Sequence, residues 1–170
     1  MTERGVLAID PNWLKPVTLR IAGECPGEAR SHVRIRSHEV IIDEPPERWG
    51  SDQGPAPTEL QIAALIGVTN VILRRLARRD GVAIHALTVT AEAELDRRGV
   101  WLSEPVASPW LSIRLILALA TDANDARLAV WREDLARFSP IHVTLRAAGV
   151  PIDETWLRSE PEPSAAGSVR

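Results

Sequence analysis

The chain has 170 residues, of which 45% are hydrophobic and 25% are charged, and its net charge is −3. This composition is enough for one sizeable core, and the slightly acidic balance gives no basic face for nucleic acid. No apolar run approaches the roughly 20 residues of a membrane span, and the N-terminus lacks a signal-peptide layout, so we expect a cytoplasmic protein without membrane contact. The single cysteine, Cys25, cannot form an internal disulfide.

Short strands are expected in the first 45 residues, followed by a loop. The strands are predicted at residues 17–22, 32–37 and 39–43, with a turn at 23–27 that contains Cys25, and together they form an antiparallel sheet. Residues 44–57 are rich in Pro, Gly, Asp and Ser, which indicates a loop that leads to a helix. Trp49 is the only bulky residue in this loop.

A long helix is predicted over residues 57–79. Pro57 suits a first helical turn, Glu59 suits the positive end of the helix dipole, and Gly81 suits the C-terminal cap. Residues 60–68 are apolar on nearly all sides, so a sheet, another helix or a second subunit must cover them. Asn70 is expected to be buried in this helix. The arginines of its last turns are expected to face solvent: Arg74, Arg75, Arg78 and Arg79.

The second half of the chain alternates between strands and helices. Residues 87–96 alternate as a half-buried strand, and residues 111–120 are apolar enough for a central strand. The remaining predicted elements are an amphipathic helix at 124–138, with Leu128, Trp131, Leu135 and Phe138 on one stripe, a short helix at 140–147, a last strand at 152–157 and a disordered tail at 159–170. We therefore expect a single α+β domain over residues 1–158.

Two motifs then stand out by their pairing and separation. The first is Gly-Pro-Ala-Pro-Thr-Glu-Leu at residues 54–60, and the second is Ser-Pro-Ile-His at residues 139–142. Together they resemble the OsmC/Ohr family of organic hydroperoxide reductases. In that family the helix after the first motif carries the reactive cysteine, and a later helix that opens with Cys-Pro-Val carries the second. The corresponding positions here are Val68 and Ser139.

The resemblance covers residues 14–157 and implies the OsmC-like fold. In this fold antiparallel sheets wrap around long central helices, and two chains form an intertwined homodimer with active sites at the subunit interface. The expected partners are thus a second copy of the chain and a small molecule, with no nucleic acid and no membrane. The family also uses an arginine from an early strand to pair with an active-site glutamate, and Arg20, Arg34 and Arg36 are open alternatives for it.

The departures from the family pattern remove the thiol chemistry. Peroxide attack needs a thiolate, and a second thiol then resolves the sulfenic acid. Val68 has no nucleophile, and the hydroxyl of Ser139 cannot replace a thiol in this cycle. In the hydroperoxide reductases the catalytic glutamate directly follows the proline, where this chain has Thr58. Glu59 matches the sister branches of the family instead.

Each candidate site residue also has a structural interpretation. Ser139 is either the N-cap of the helix that Pro140 begins or a polar contact to substrate, and His142 is either a packed histidine or its companion in the site. Glu59 is either a dipole partner or a general acid or base. The residues expected to line a pocket are Trp49, Val68, Asn70, Arg36 and His38.

Three functional hypotheses follow. The first is a non-redox, cofactor-free enzyme with acid–base or hydrolytic chemistry, in which Glu59, Ser139 and His142 act on a small apolar or carbonyl-bearing substrate in an interface pocket. The second is a catalytically silent protein that binds a small molecule. The third is a residual hydroperoxide reductase that works through Cys25. The sequence contains no metal-binding motif, no glycine-rich phosphate loop and no nucleotide motif, so we expect neither a metal nor a cofactor.

Overall fold

The computed structural model describes residues 9–160, which form two compact units. Residues 9–64 belong to one unit and residues 65–160 to the other. The division falls inside one continuous helix. Of the predicted tail, residues 161–170 lie outside the described part, whereas Ser159 donates its backbone N–H to the carbonyl oxygen of Leu119.

The first unit contains a three-stranded antiparallel sheet in the order β1-β2-β3. Its strands are β1 (Ala22–Glu24), β2 (Ser31–Ile35) and β3 (His38–Ile42). The prediction of a first strand at residues 17–22 is wrong, because β1 begins where that prediction ended. Ala22 pairs with Arg34 near the end of β2, and the chain then turns, so residues 17–21 have no strand to pair with among the described residues.

The helix α1 (Pro57–Asp80) follows the predicted bounds to within one residue. It ends in a Schellman motif, in which Gly81 has a positive φ of 65° and the N–H of Val82 bonds to the carbonyl of Ala77. Asn70, expected to be buried, is exposed, because the buried stripe runs through positions such as Leu65, Thr69 and Leu73 instead.

Within the described residues, α1 is the one helix long and apolar enough to span a membrane by length and composition. The expectation that no segment approaches such a length and composition therefore does not hold. The core helix of a soluble protein passes the same test, and 33% of the most apolar window of α1 is buried in this chain. The helix thus has an apolar surface that this chain alone leaves largely uncovered.

The second unit contains a three-stranded sheet in the order β4-β5-β6, together with two helices. Its elements are β4 (Ile84–Leu95), β5 (Trp110–Thr121), α2 (Asp125–Phe138), α3 (Pro140–Ala147) and β6 (Ile152–Arg158). The β4 and β5 strands are antiparallel, but β5 and β6 are parallel. This sheet therefore departs from the expected antiparallel pattern, because α2 and α3 form the crossover that a parallel pair requires.

The core of the second unit lies on one face of β5. Its alternate residues Ile113, Leu115, Leu117 and Leu119 are at most 1% exposed. The helices of this unit also contribute buried residues, which include Leu65, Leu73, Trp131, Leu135 and Leu145.

Two side chains differ from their expected environments. Phe138 is 55% exposed, because α2 ends there and Ser139 turns the chain into α3. Arg79 does not face solvent: its side chain is 15% exposed, and it bonds to Asp134 at 2.8 Å and to Asp80 at 2.9 Å. A buried carboxylate needs a charged partner, so the side chain of Arg79 lies against Asp134 of α2 and not in solvent.

Candidate functional site

Ser139 lies at the junction of α2 and α3 and is fully buried. Its backbone N–H bonds to the carbonyl of Leu135, which closes α2, and its Oγ accepts the N–H of His142 at 3.4 Å, which caps α3. Pro140 follows as the first residue of α3, where a missing N–H costs nothing. The local sequence thus places a hydroxyl at the positive end of a helix.

The imidazole of His142 is also fully buried and contacts this hydroxyl. The Nδ1 atom of His142 lies 2.7 Å from the Oγ of Ser139, and its Nε2 atom lies 3.7 Å from Oε1 of Glu154. Burial, which is the larger cause, and the positive charge of Arg146 together lower the pKa of His142 from 6.5 to about 4. The ring is therefore neutral near pH 7, which leaves one nitrogen as an acceptor and one as a donor.

The hydrogen bond between Ser139 and His142 allows the ring proton to be on either nitrogen. If Ser139 donates its O–H to Nδ1, the ring proton is on Nε2 and faces Glu154. This Nε2 atom is buried and makes no hydrogen bond within the described part of the chain. The side chains of Ser139, His142 and Glu154 therefore stand in the order hydroxyl, imidazole, carboxylate.

Glu154 is the member of this group that sequence reasoning missed. Its side chain is 5% exposed, its Oε2 accepts from Nε1 of Trp156 at 3.0 Å, and its Oε1 accepts from Arg146 at 3.4 Å. A signal for it was present, because the alternation along β6 puts Glu154 on the same side as the buried Ile152. A carboxylate on an inward-facing position indicates a buried partner.

Glu59 is described in the first unit, where it acts at the start of α1. Its carboxylate accepts the backbone N–H of Ala56 at 2.8 Å, which is the reciprocal half of a capping box. The residue is exposed. The structure thus brings Ser139 and His142 together in the second unit and shows Glu59 as a helix cap in the first.

Trp49 lies in a loop that is held from within by Asp43. Trp49 is 72% exposed and has a positive φ of 63°. The buried carboxylate of Asp43 accepts from the hydroxyl of Ser51 at 2.6 Å and from the N–H groups of Glu44, Ser51 and Gln53. The hydrogen bond from Ser51 is the largest cause that lowers the pKa of Asp43, to about 2. Hydrogen bonds to Asp43 therefore hold this loop together, and Trp49 is exposed on it.

The other residues expected in a pocket have ordinary positions in the described chain. Arg36 is exposed in the β2–β3 turn with a φ of 57°, and His38 is exposed at the start of β3. Val68 is half-buried. Among the three candidate arginines, Arg34 lines a cavity of about 100 Å³, together with His32 and Glu39.

The thiol of Cys25 and the capacity to bind a metal ion are two further features of the described residues. Cys25 is exposed, and its Sγ lies 3.4 Å from Oγ of Ser31. No group of three or more His, Cys, Asp or Glu side chains within residues 9–160 could hold a metal ion.

Comparison with known proteins identifies the fold and the family. The structure is similar to an OsmC-like protein from Mycoplasma pneumoniae, with 11% identity, a TM-score of 0.69, and coverage of 84% of this chain and 99% of the other. It is also similar to an organic hydroperoxide resistance protein OsmC from Legionella pneumophila, with 14% identity, a TM-score of 0.64, and coverage of 83% and 97%. At these identities the likeness shows the fold alone.

The organic hydroperoxide resistance protein OhrB of Bacillus subtilis is a further match, with 13% identity, a TM-score of 0.57, and coverage of 84% and 98%. No curated protein sequence matches the chain. The family model described as OsmC-like protein matches residues 50–155, which is more than half of the chain. This protein therefore belongs to the OsmC-like protein family.

Proposed function

We propose that this protein is a non-redox, cofactor-free enzyme of the OsmC-like family, with hydrolytic or acid–base chemistry at Ser139 and His142. One observation carries the proposal: Oγ of Ser139 lies 2.7 Å from Nδ1 of His142, at the position that the resemblance gives to the second cysteine. A nucleophile and a base within hydrogen-bond reach, with a third group beside the base, are the parts that covalent catalysis requires.

The surroundings of Ser139 favour attack by its oxygen. The hydroxyl stands at the N-terminus of α3, where the helix dipole favours negative charge. A neutral His142 can accept the hydroxyl proton, whereas a protonated ring cannot. The carboxylate of Glu154 faces the opposite side of the ring and stabilises the charge that the ring then acquires.

The proposed reaction is hydrolysis of a small carbonyl compound. The oxygen of Ser139 forms a bond to the carbonyl carbon while its proton moves to Nδ1 of His142. The leaving group departs with that proton and leaves an acyl-serine. A water molecule then gives one proton to His142 and attacks the acyl carbon. The bond from this carbon to Oγ of Ser139 breaks, the acid is released, and His142 returns the proton to Oγ, which restores both side chains.

The substrate site is proposed to lie at the interface of a homodimer in the cytoplasm. The apolar surface of α1 supports this proposal, because its exposed positions include Ala63, Ala64, Gly67 and Val71. A second copy would cover this surface and supply an apolar pocket. Val68 and Asn70, both on α1, are proposed to line that pocket.

A hydrolase assay tests the proposed reaction. We expect hydrolysis of short p-nitrophenyl esters, reduced at least about a thousandfold by Ser139→Ala, because the residue supplies the attacking atom. The control is Ser103→Ala, which removes an exposed hydroxyl outside the site and should leave the rate unchanged. Equal rates for the wild type and Ser139→Ala would contradict the proposal.

A second candidate is a silent protein that binds a small molecule. The observation that favours it is that Glu59 and Ser139 both act as helix caps, and that Ser139 and His142 are enclosed. Glu59→Gln tests whether Glu59 itself acts as a general acid or base, because the change removes a proton-transfer group while it keeps the size of the side chain. A rate lowered about a hundredfold with unchanged affinity supports an enzyme that uses Glu59, whereas a ligand that is bound and never converted supports the silent protein.

The third hypothesis, peroxide reduction through Cys25, is tested directly. Some structural neighbours are organic hydroperoxide resistance proteins, so cumene hydroperoxide with dithiothreitol is the appropriate assay. We expect no turnover above a heat-inactivated control. Turnover that Cys25→Ala abolishes would establish the reductase instead.

A further inference from the structure

A groove in the second unit lies outside the residues discussed for catalysis. It has a volume of about 350 Å³, at the lower end of the roughly 300–1,000 Å³ of small-molecule sites. Helix α2 contributes Leu128, Ala129 and Arg132, and strand β6 contributes Trp156, Leu157 and Arg158. Its floor is therefore apolar, and two guanidinium groups border it.

The walls of this groove are held in place by bonds to the rest of the unit. The indole N–H of Trp156 donates to Glu154 at 3.0 Å, and the guanidinium of Arg132 stands over the indole ring, 5.6 Å from its centroid. Arg158 donates to the carbonyl of Ala123 at 2.7 Å and to Asp125 at 2.8 Å. The residues that line the groove are therefore already held in position before a ligand binds.

The charges of the groove do not cancel. Asp125 also lines it, but Arg158 already pairs with this carboxylate. Arg132, in contrast, has its contact to the indole and no carboxylate partner among the described residues. Arg79 and Arg127 bond to buried aspartates, so Arg132 differs from its neighbours in keeping its hydrogen-bond donors available.

We propose that this groove binds a small carboxylate with an apolar body, whose carboxylate meets Arg132 and whose body lies on Leu128, Ala129 and the indole of Trp156. The planar guanidinium matches a carboxylate with two parallel N–H donors. The apolar floor removes the body of the ligand from water.

Calorimetric titration of the full chain with octanoate tests this assignment. We expect saturable binding of octanoate, and binding at least about tenfold weaker for octanamide, which keeps the chain but lacks the charge. Acetate, which has the charge without the chain, should not bind measurably. Equal affinity for octanoate and octanamide would refute a site that recognises the carboxylate. The absence of saturable octanoate binding would refute the site altogether.

Variants locate the binding on the molecule. Arg132→Gln should weaken octanoate binding at least about tenfold, because it removes the charge and the paired donors. The matched control is Arg137→Gln, a change at an exposed arginine on the same helix that does not line the groove. Circular dichroism checks that both variants are folded. An unchanged affinity in Arg132→Gln, or an equal loss in Arg137→Gln, would overturn the assignment.

Discussion

At the scale of the residue, Ser139, His142 and Glu154 form a buried polar group. Buried polar atoms need hydrogen-bond partners, and Ser139 Oγ meets this need for both the N–H of His142 and its Nδ1 atom. Burial also keeps the imidazole neutral. One serine side chain therefore serves as a helix cap and as the partner of a titratable ring.

The lowered pKa of His142 predicts a dependence of stability on pH. The pKa falls from 6.5 in the unfolded chain to about 4 in the folded chain, so between these values the unfolded chain binds the extra proton. The free energy of unfolding should rise as the pH is raised from about 4 to about 6.5. This gain in stability should be lost again as the pH falls through the same window. Urea unfolding at several pH values measures this slope.

His142→Asn provides the control for this measurement. Asparagine does not titrate, so the slope of the variant between pH 4 and pH 6.5 should be smaller than that of the wild type by the contribution of one group. The same slope in both proteins would show that His142 does not carry this proton.

At the scale of the element, helix ends and one loop are decided by close backbone contacts. Gly50 lies against the backbone of Glu44, and Gly54 lies against the backbone of Ile41. A Cβ added at either glycine would clash with the carbonyl oxygen of that neighbour. Side chains at these positions cannot fit without movement of the backbone. The loop that displays Trp49 therefore depends on both glycines and on the hydrogen bonds of Asp43.

Gly54→Ala should destabilise this loop by about 1–3 kcal/mol, the usual cost of overpacking. We expect faster proteolysis within residues 43–56 and a lower midpoint of thermal unfolding. Gly27→Ala is the control, because a Cβ at Gly27 would make an ordinary contact of 3.8 Å with Arg30. If Gly54→Ala is as stable as the control and as resistant to proteolysis, this would contradict the close approach of the backbone of Ile41 to Gly54.

At the scale of the whole molecule, the exposed apolar surface of α1 favours a second copy. Val71 is 43% exposed, and a Cβ added at Gly67 would meet no atom of the described residues within 4 Å. A helix that is apolar on such a surface is stable in water only if something covers it. The homodimer is thus a proposal that follows from burial as well as from the family resemblance.

Sedimentation of the wild type at micromolar concentration should give a dimer, and Val71→Arg should shift it towards the monomer, because it places a charge in the proposed interface. Val143→Arg is the matched control: this valine is 46% exposed but lies on α3. A stable wild-type monomer would remove the proposed interface pocket. If both variants dissociate the dimer, this would contradict the assignment of the interface to α1.

The sequence by itself determined those features that depend on residues close along the chain. The bounds of α3 and the cap at Ser139 followed from a serine before a proline, and the end of α1 followed from Gly81, because caps and first turns are made by neighbouring residues. The apolar run in α1 likewise predicted a surface that needs cover. The two paired motifs identified the OsmC-like family.

Only the tertiary structure decided which distant residues meet. It showed that β6 runs parallel to β5, that Glu154 faces His142, that Asp43 holds the loop around Trp49, and that Asn70 is exposed. Strand direction, the pairing of buried charges and the burial of one helix face are set by contacts between segments far apart in the chain. Local propensity carries no information about such contacts, and this is why the sequence identified Ser139 and His142 but not the carboxylate beside them.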